Sequence, residues 1–251
     1  MSDRHDIDES RWQIEGRNPV MEALRSGRTI EKILVVKGLR EGGIRNILST
    51  AKDMGIVIQE VDRRLLNSIS QTRAHQGIIA VTTPYSYVSV EDILEKAKKA
   101  EEPPFILVLD EIEDPHNLGA IIRTAECCGV HGIIIPKRRA AGLTPAAVKA
   151  SAGAVEHIPI AKVNSIAWAL ELLKKHGLWV AGADAGGKPY TLHDMKGPIA
   201  LVIGSEGKGL RRLVREKCDF LVGIPMKGKI NSLNASVAAA VLMYEIVRQR
   251  G

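Results

Sequence analysis

The sequence predicts an α/β protein: a mostly parallel sheet covered by helices, preceded by a smaller α/β body. Three observations carry this. From residue 103 onward, short strands rich in Val, Ile and Leu alternate with helical segments, as in a parallel sheet buried on both faces. Residues 10–90 show a similar alternation over roughly seventy residues, enough for a small domain. Between them, residues 91–102 hold five acids against three lysines and run into Pro103-Pro104, which reads as a linker. The resulting division is an acidic tail over 1–9, a small body over 10–84, a linker over 85–102 and a larger body over 103–251.

In the small body the hydrophobic pattern predicts helices over 18–26, 43–54 and 63–69 and strands over 32–36, 56–61 and 77–82. The larger body opens on strand 105–110 (FILVLD), then helix 118–128, strand 132–135, helix 144–152, strand 157–161 and a helix over 165–176 that Gly177 ends. Strands follow over 178–183 and 198–203, then helix 209–217, strand 220–224 and a last helix over 234–248. In such sheets ligands bind beyond the carboxyl ends of the strands, so the loops there should carry the chemistry.

Composition narrows the class. With 251 residues, 45% hydrophobic and 25% charged, disorder and collagen-like structure are excluded. Cys127, Cys128 and Cys218 are odd in number and form no Cys-x-x-Cys, which suits a reducing compartment and no disulfide framework. No apolar run approaches the roughly 18 residues of a membrane span, and the start MSDRHDIDES is polar where a signal peptide would be apolar. A cytoplasmic protein with no membrane partner is expected. The net charge is +6. The bodies carry +5 and +6, while the tail and linker carry −3 and −2, so a polyanionic partner suits the folded parts.

Three loops are unusual. Asp114-Pro115-His116-Asn117-Leu118-Gly119 follows the first strand, with Asn117 where an N-cap is expected and Arg123 the only cation on the helix beyond. That helix is either a capped core helix with Arg123 paired to Glu126, or one presenting a guanidinium to a phosphate or carboxylate. Gly204-Ser205-Glu206-Gly207-Lys208-Gly209 follows strand 198–203; its spacing is neither a dinucleotide nor a triphosphate fingerprint. It is either a tight turn with a solvated Glu206, or a place for backbone to approach a ligand. The third, Ile224-Pro225-Met226 through Asn231-Ser232-Leu233-Asn234, precedes a helix that is apolar or small nearly all round until Glu245. Either Ser232 or Asn234 can cap it, and its burial is either internal or at a subunit interface.

Taken in order, these loops resemble motifs one, two and three of the SpoU/TrmH family of SPOUT-class RNA ribose 2′-O-methyltransferases. The small body is similar to that family's substrate-binding domain, with Gly16-Arg17-Asn18-Pro19-Val20 near its start and His75-Gln76-Gly77-Ile78 near its end. The resemblance covers about residues 14–249 and is greatest to the RlmB branch, which methylates guanosine ribose in 23S rRNA. It implies a C-terminal domain with a trefoil knot, S-adenosyl-L-methionine as methyl donor, no metal, and a homodimer. RNA is the implied partner, 23S rRNA in preference to tRNA. The implied catalytic residues are Asn117, Arg123, Glu206, Ser232 and Asn234. Gly204, Ile224 and Leu233 would meet the cofactor, largely through main chain, with Met226 close by. Ala235 stands where the family often has Val, a loss of one methyl contact.

The implied reaction is in-line attack of a ribose 2′-oxygen on a sulfonium methyl, so positioning is the main task. Arg123 is too basic to accept a proton. It is expected to bind the adjoining phosphate and stabilise the developing alkoxide, with Glu206 orienting Arg123 or a backbone amide. His116 reads as a loop residue. Lys137, Arg138, Arg139, Lys208, Arg211, Arg212, Arg215 and Lys227, and Arg11, Arg17, Arg63, Arg64 and Arg73 in the small body, are candidates for RNA phosphates or solvated faces. Aromatics are only 4% of the chain, so RNA shape and a flipped nucleotide should matter more than rows of stacked bases. A non-catalytic ribosome-assembly factor would be expected to lack one of Asn117, Arg123, Glu206 or Asn234, and all four are present. A nucleotide-dependent oxidoreductase or kinase would need a Gly-rich turn where Asp114-Pro115-His116-Asn117 stands.

Overall fold

A computed structural model of the chain describes residues 12–41, 43–83 and 85–251; the acidic tail over 1–9 and Arg11 lie outside the described residues. The chain forms two units, one running to Ser86 and taking in Leu143–His157, the other comprising Tyr87–Gly142 and Ile158–Gly251.

The first unit holds strands β1 (Gln13–Glu15), β2 (Ile30–Val36), β3 (Val57–Val61) and β4 (Ile78–Thr82) in the order β1-β4-β2-β3. β2 and β3 are parallel and β4 is antiparallel to both of its neighbours. Helices α1 (Arg17–Arg25), α2 (Ile44–Asp53) and α3 (Arg63–Ile69) follow β1, β2 and β3. Each predicted element of this body is present, its ends displaced by two residues at most. The three-residue β1 is too short to show a period.

Residues 143–157 were expected within the larger body, yet α6 (Pro145–Ala150) and the 3-10 turn Ala154–Glu156 pack in the first unit. A buried ion pair explains this. Arg28 and Glu156, whose side chains are 8% and 6% exposed, meet at 2.6 Å. Burial pushes the Glu156 carboxyl up against the pull of Arg28, so the pair adds little net stability, but either partner alone would be an uncompensated charge. Gly153, at φ 98°, completes the fit, because a Cβ there would lie 2.5 Å from Glu22 Cβ.

The second unit is a six-stranded sheet of β5 (Phe105–Asp110), β6 (Gly132–Pro136), β7 (Ile160–Val163), β8 (Trp179–Pro189), β9 (Ile199–Gly204) and β10 (Phe220–Gly223). The order is β10-β8-β9-β5-β6-β7, with every pairing parallel. β5, β6 and β9 are buried along their whole length, as a sheet covered on both faces requires. The chain winds outward from β5 through β6 to β7, and the later strands lie on the other side of β5. The switch point between β5 and β9 is where α/β sheets form ligand crevices.

The segment expected as a linker instead carries α4 (Val90–Lys99), whose Val90 and Ile93 enter the core of the second unit with Ile106, Val108 and Ile134. Its signal is visible in Ser89 and Asp92, which form a capping box. Four expected boundaries also move by three residues or more: the first helix of the larger body starts at Pro115 instead of 118, and β8 runs on to Pro189 instead of ending at 183. β7 starts at Ile160 instead of 157, after the 3-10 turn, and α8 (Arg212–Lys217) starts three residues late because Gly209 has φ 66°. The remaining helices are α5 (Pro115–Cys127), α7 (Ile166–Lys175) and α9 (Ala235–Arg250). No helix among the described residues is long and apolar enough to cross a membrane.

Candidate functional site

A cavity of about 340 Å3 opens at the carboxyl ends of β9 and β10 and beside the middle of β8, within the roughly 300–1,000 Å3 usual for small-ligand sites. Gly204, Ile224, Met226, Ser232, Leu233 and Glu206 all line it, so five positions singled out from the second and third loops meet the same space as the expected acid. The rest of the wall was not anticipated. In the pairing of β8 with β10, Leu221 faces Gly182 but Val222 faces Lys188, and the intervening excursion brings Ala183, Asp184 and Ala185 to the cavity. The sequence signal for that excursion is Gly186-Gly187.

The Gly-rich loop after β9 folds back on itself. Ser205 N donates to Gly209 O at 3.2 Å and Gly209 N to Ser205 O at 2.9 Å, and Gly207 and Gly209 adopt φ of 78° and 66°. A Cβ on Gly204 would fall 2.2 Å from the Gly209 carbonyl carbon. The absent side chain therefore lets two stretches of backbone pack together at the cavity wall.

Helix starts position the polar residues. Asp114, not Asn117, caps α5, accepting from His116 N at 3.0 Å with Pro115 in the first turn. Asn117 sits inside that turn with its amide free to reach outward. Asn234 is the N-cap of α9; its Oδ1 accepts from Ser236 N at 2.9 Å and Ser236 Oγ at 2.6 Å. Its Nδ2 donates to Asn117 Oδ1 at 3.0 Å and to Glu206 Oε2 at 3.2 Å, while Asn117 Nδ2 reaches the same oxygen at 3.5 Å. These bonds define which way the Asn234 amide points and use both of its protons. Glu206 thus lies by the positive ends of two helices whose first turns carry no acid, a favourable place for a carboxylate.

Arg123 stands apart from this cluster. Six residues beyond Asn117 on α5, it is about 9 Å along the axis and about 120° around it. Arg123 is exposed, and its guanidinium finds no partner among the described residues, Glu126 and Glu206 included. Glu206 therefore orients two amides, not Arg123. His116 is exposed in the first turn.

Several basic candidates are already engaged. Arg211 grips the fully buried Asp110 through Nε at 2.8 Å and its backbone N at 2.9 Å, with Glu111 at 3.3 Å. Arg212 pairs with Glu216 and Arg215 with Asp184, and Arg139 lies 3.8 Å from Glu111. Arg138, Lys208 and Lys227 form no ion pair among the described residues. Burial pushes the Cys128 and Cys218 thiols up to about 11 and about 12, so neither presents a thiolate near neutrality.

Comparison with known proteins shows the family. Residues 104–244 match the SpoU rRNA methylase family, and residues 13–88 match RNA 2′-O ribose methyltransferase substrate-binding domains. The chain is 49% identical over 251 residues to YacO of Bacillus subtilis (strain 168), ascribed to the TrmH family of tRNA/rRNA methyltransferases, covering 100% of this chain and 98% of the relative. Among solved structures, the SpoU methyltransferase AviRb of Streptomyces viridochromogenes, in complex with AdoMet, superposes with a TM-score of 0.82 at 27% identity, over 96% of this chain and 90% of that one. An AdoMet-bound rRNA methyltransferase from Sinorhizobium meliloti superposes with a TM-score of 0.77 at 26% identity, over 95% and 87%. The chain belongs to the SpoU/TrmH family of RNA 2′-O-ribose methyltransferases, with a parallel-sheet SPOUT domain and a small N-terminal substrate-binding domain.

Proposed function

We propose that this chain holds S-adenosylmethionine in the cavity of the second unit and methylates the ribose 2′-oxygen of a guanosine in 23S rRNA. The observation that carries the reading is the meeting of Asn117, Glu206 and Asn234, one from each loop, where Glu206 also lines the cavity. The residues fit the cofactor. Gly204 leaves bare backbone at the wall, Ile224 and Leu233 supply apolar surface, and Glu206 adds a carboxylate suited to a cationic ligand.

S-adenosylmethionine supplies an electrophilic methyl on a positively charged sulfur. The chain's own task is to place the ribose. With both Asn234 protons committed, Asn117 keeps an amide proton for the incoming ribose, while Glu206 holds the two amides in register. Ser232 offers a hydroxyl at the cavity wall. Arg123, permanently charged and unpaired, takes the phosphate beside the target ribose and stabilises the charge that grows on the 2′-oxygen. The 2′-proton leaves to that phosphate or to water.

The preference for rRNA draws on the rRNA methyltransferase that aligns over nearly the whole chain. A homodimer in a reducing cytoplasm, with the family's knotted chain path, completes the proposal. Val237 and Tyr244, 47% and 53% exposed, lie one heptad apart on α9 and supply an apolar stripe for a second copy. Sedimentation should give a dimer at micromolar concentration; an active monomer would refute that part.

The deciding experiment maps 2′-O-methylation in ribosomal and transfer RNA from a strain lacking the gene. Loss of one 2′-O-methylguanosine in 23S rRNA, restored by the wild-type chain, is expected. Intact 23S methylation with a missing tRNA site would overturn the substrate.

A further inference from the structure

The carboxyl ends of β6 and β7 hold another cavity of the second unit, about 380 Å3, whose lining includes Glu91, Lys137, Lys162, Asn164 and Trp168. β7 is the edge strand, three strands from β9, so this cavity lies about 14 Å across the sheet from the Gly-rich loop. Because the intervening pairings are all parallel, both cavities lie at the same end of the sheet. The chain entering α4 supplies one wall. Val88 bridges Ala161 on β7, with Val88 N donating to Ile160 O at 3.0 Å.

Trp168 departs from the pattern of its own helix. Ile166, Ala169, Leu170 and Leu173 of α7 are buried in the core, while Trp168 is 51% exposed and lines the cavity. An indole in water beside a cavity offers a stacking face to a flat ring. Two ammoniums accompany it, and neither forms an ion pair among the described residues. Lys162 is half-buried and held in place, its Nζ 4.8 Å from the centroid of the Tyr87 ring. Lys137 is exposed, and its backbone N donates to Val163 O at 2.8 Å, which ties it to the end of β7. Ser89 and Ser165 already cap α4 and α7. Asn164 and the carboxylate of Glu91, in the first turn of α4, are therefore the groups left for the polar edge of a ring.

We infer that this cavity of the second unit seats one unpaired nucleotide of the substrate RNA, its base stacked on Trp168 and its phosphate held by Lys137 and Lys162. A flat apolar face beside two cations matches a nucleotide, since each half of the ligand finds its own partner. One indole reads stacking and not sequence, so the contact positions the RNA without selecting the guanosine. The inference rests on the RNA methyltransferase reading. It places a contact on the methyltransferase domain itself, at Lys137, Lys162 and Trp168, beyond the residues 13–88 that match substrate-binding domains.

The test uses the full chain, S-adenosylmethionine and the RNA it methylates. In Trp168→Ala, KM for RNA should rise about tenfold, with the loss in KM and not in kcat. Trp168→Phe keeps a stacking ring and should recover most of that loss. In the Lys137→Ala/Lys162→Ala double variant, the plot of log Kd against log salt should become shallower by about 1. Calorimetry should give wild-type affinity for S-adenosylmethionine in all three. RNA binding should quench tryptophan fluorescence in the wild type and much less in Trp168→Phe. Guanosine monophosphate is the free-nucleotide probe: quenching by it at micromolar concentration, with KM for RNA unchanged in the variants, would assign the cavity to a free nucleotide and overturn the inference. Unchanged KM and salt dependence in the folded variants would also overturn it, as would a change of oligomeric state in Trp168→Ala, which would make this face a subunit contact. In each case methylation by the wild type leaves the enzymatic reading standing. Wild-type protein that methylates no RNA would overturn both.

Discussion

Asn234 donates from its side-chain amide to Oδ1 of Asn117, 3.0 Å away and 117 residues earlier. The same amide caps α9 and touches Glu206, so one residue couples a helix start to the proposed catalytic cluster. Asn234→Ala should lower stability by about 0.5–2 kcal/mol through the lost cap and lower kcat further than that loss of folded protein explains. Asn234→Asp retains the cap and sets a second carboxylate beside Glu206. Its melting temperature should stay closer to the wild type than that of Asn234→Ala while methyl transfer falls, as thermal melting and single-turnover kinetics will show.

Arg123 touches no described partner, so its replacement should leave stability within about 0.5 kcal/mol of wild type. Methyl transfer should nonetheless collapse in Arg123→Ala and recover only partly in Arg123→Lys, because an ammonium lacks the planar fork that grips phosphate. The pH–rate profiles of the two variants decide this. Full activity with Lys would remove the case for a bidentate guanidinium.

Gly204 has backbone where a side chain would go, with a Cβ 2.2 Å from the Gly209 carbonyl carbon. Gly204→Ala must push the Gly-rich loop outward, and a shift of that size should lower kcat/KM about a hundredfold with a matching loss of S-adenosylmethionine affinity in calorimetry. Gly197→Ala, where nothing lies within 4 Å, serves as the neutral comparison.

Arg28 and Glu156 hold residues 143–157 in the first unit through a pair whose side chains are both under a tenth exposed. Arg28→Ala should cost about 3–5 kcal/mol by stranding the carboxylate. The double replacement Arg28→Met/Glu156→Leu should recover most of it, and a denaturant double-mutant cycle measures the coupling.

His75 and His131 are buried, and desolvation holds both below the usual imidazole value of 6.5. His131 Nδ1 accepts from Phe105 N at 3.0 Å, and His75 Nδ1 accepts from Gly77 N, bonds that need the neutral ring. The unfolded chain binds protons on these rings at higher pH than the native state does, so stability rises with pH in that window. The contribution is complete above about 6.5 and is lost as pH falls toward the lower native values. Melting temperatures recorded from pH 8 to pH 5 should fall at the acid end, and less steeply in His75→Gln.

Much of the fold is legible in local sequence because strands and helices here carry clear periods. The FILVLD and PIALVI segments are buried along their whole length as β5 and β9, and the first-unit elements appear at their expected places. The capping box of Ser89 and Asp92 was equally legible, but the acidic composition around it suggested a linker. The five polar positions and four cofactor-facing positions came from ordered motifs, and eight of those nine meet either the cavity or the Asn117–Glu206–Asn234 cluster.

By itself the sequence determined most of the elements, the family and the candidate site positions, since each depends on neighbours within a few positions or on short motifs. Tertiary structure decided what depends on contacts between distant segments. It moved the cap of α5 to Asp114, joined Glu206 to two amides instead of Arg123, tied Arg211 to Asp110, and placed residues 143–157 with the first unit through Arg28. No local pattern encodes which cation a carboxylate finds, because geometry and burial across the whole chain choose the partner.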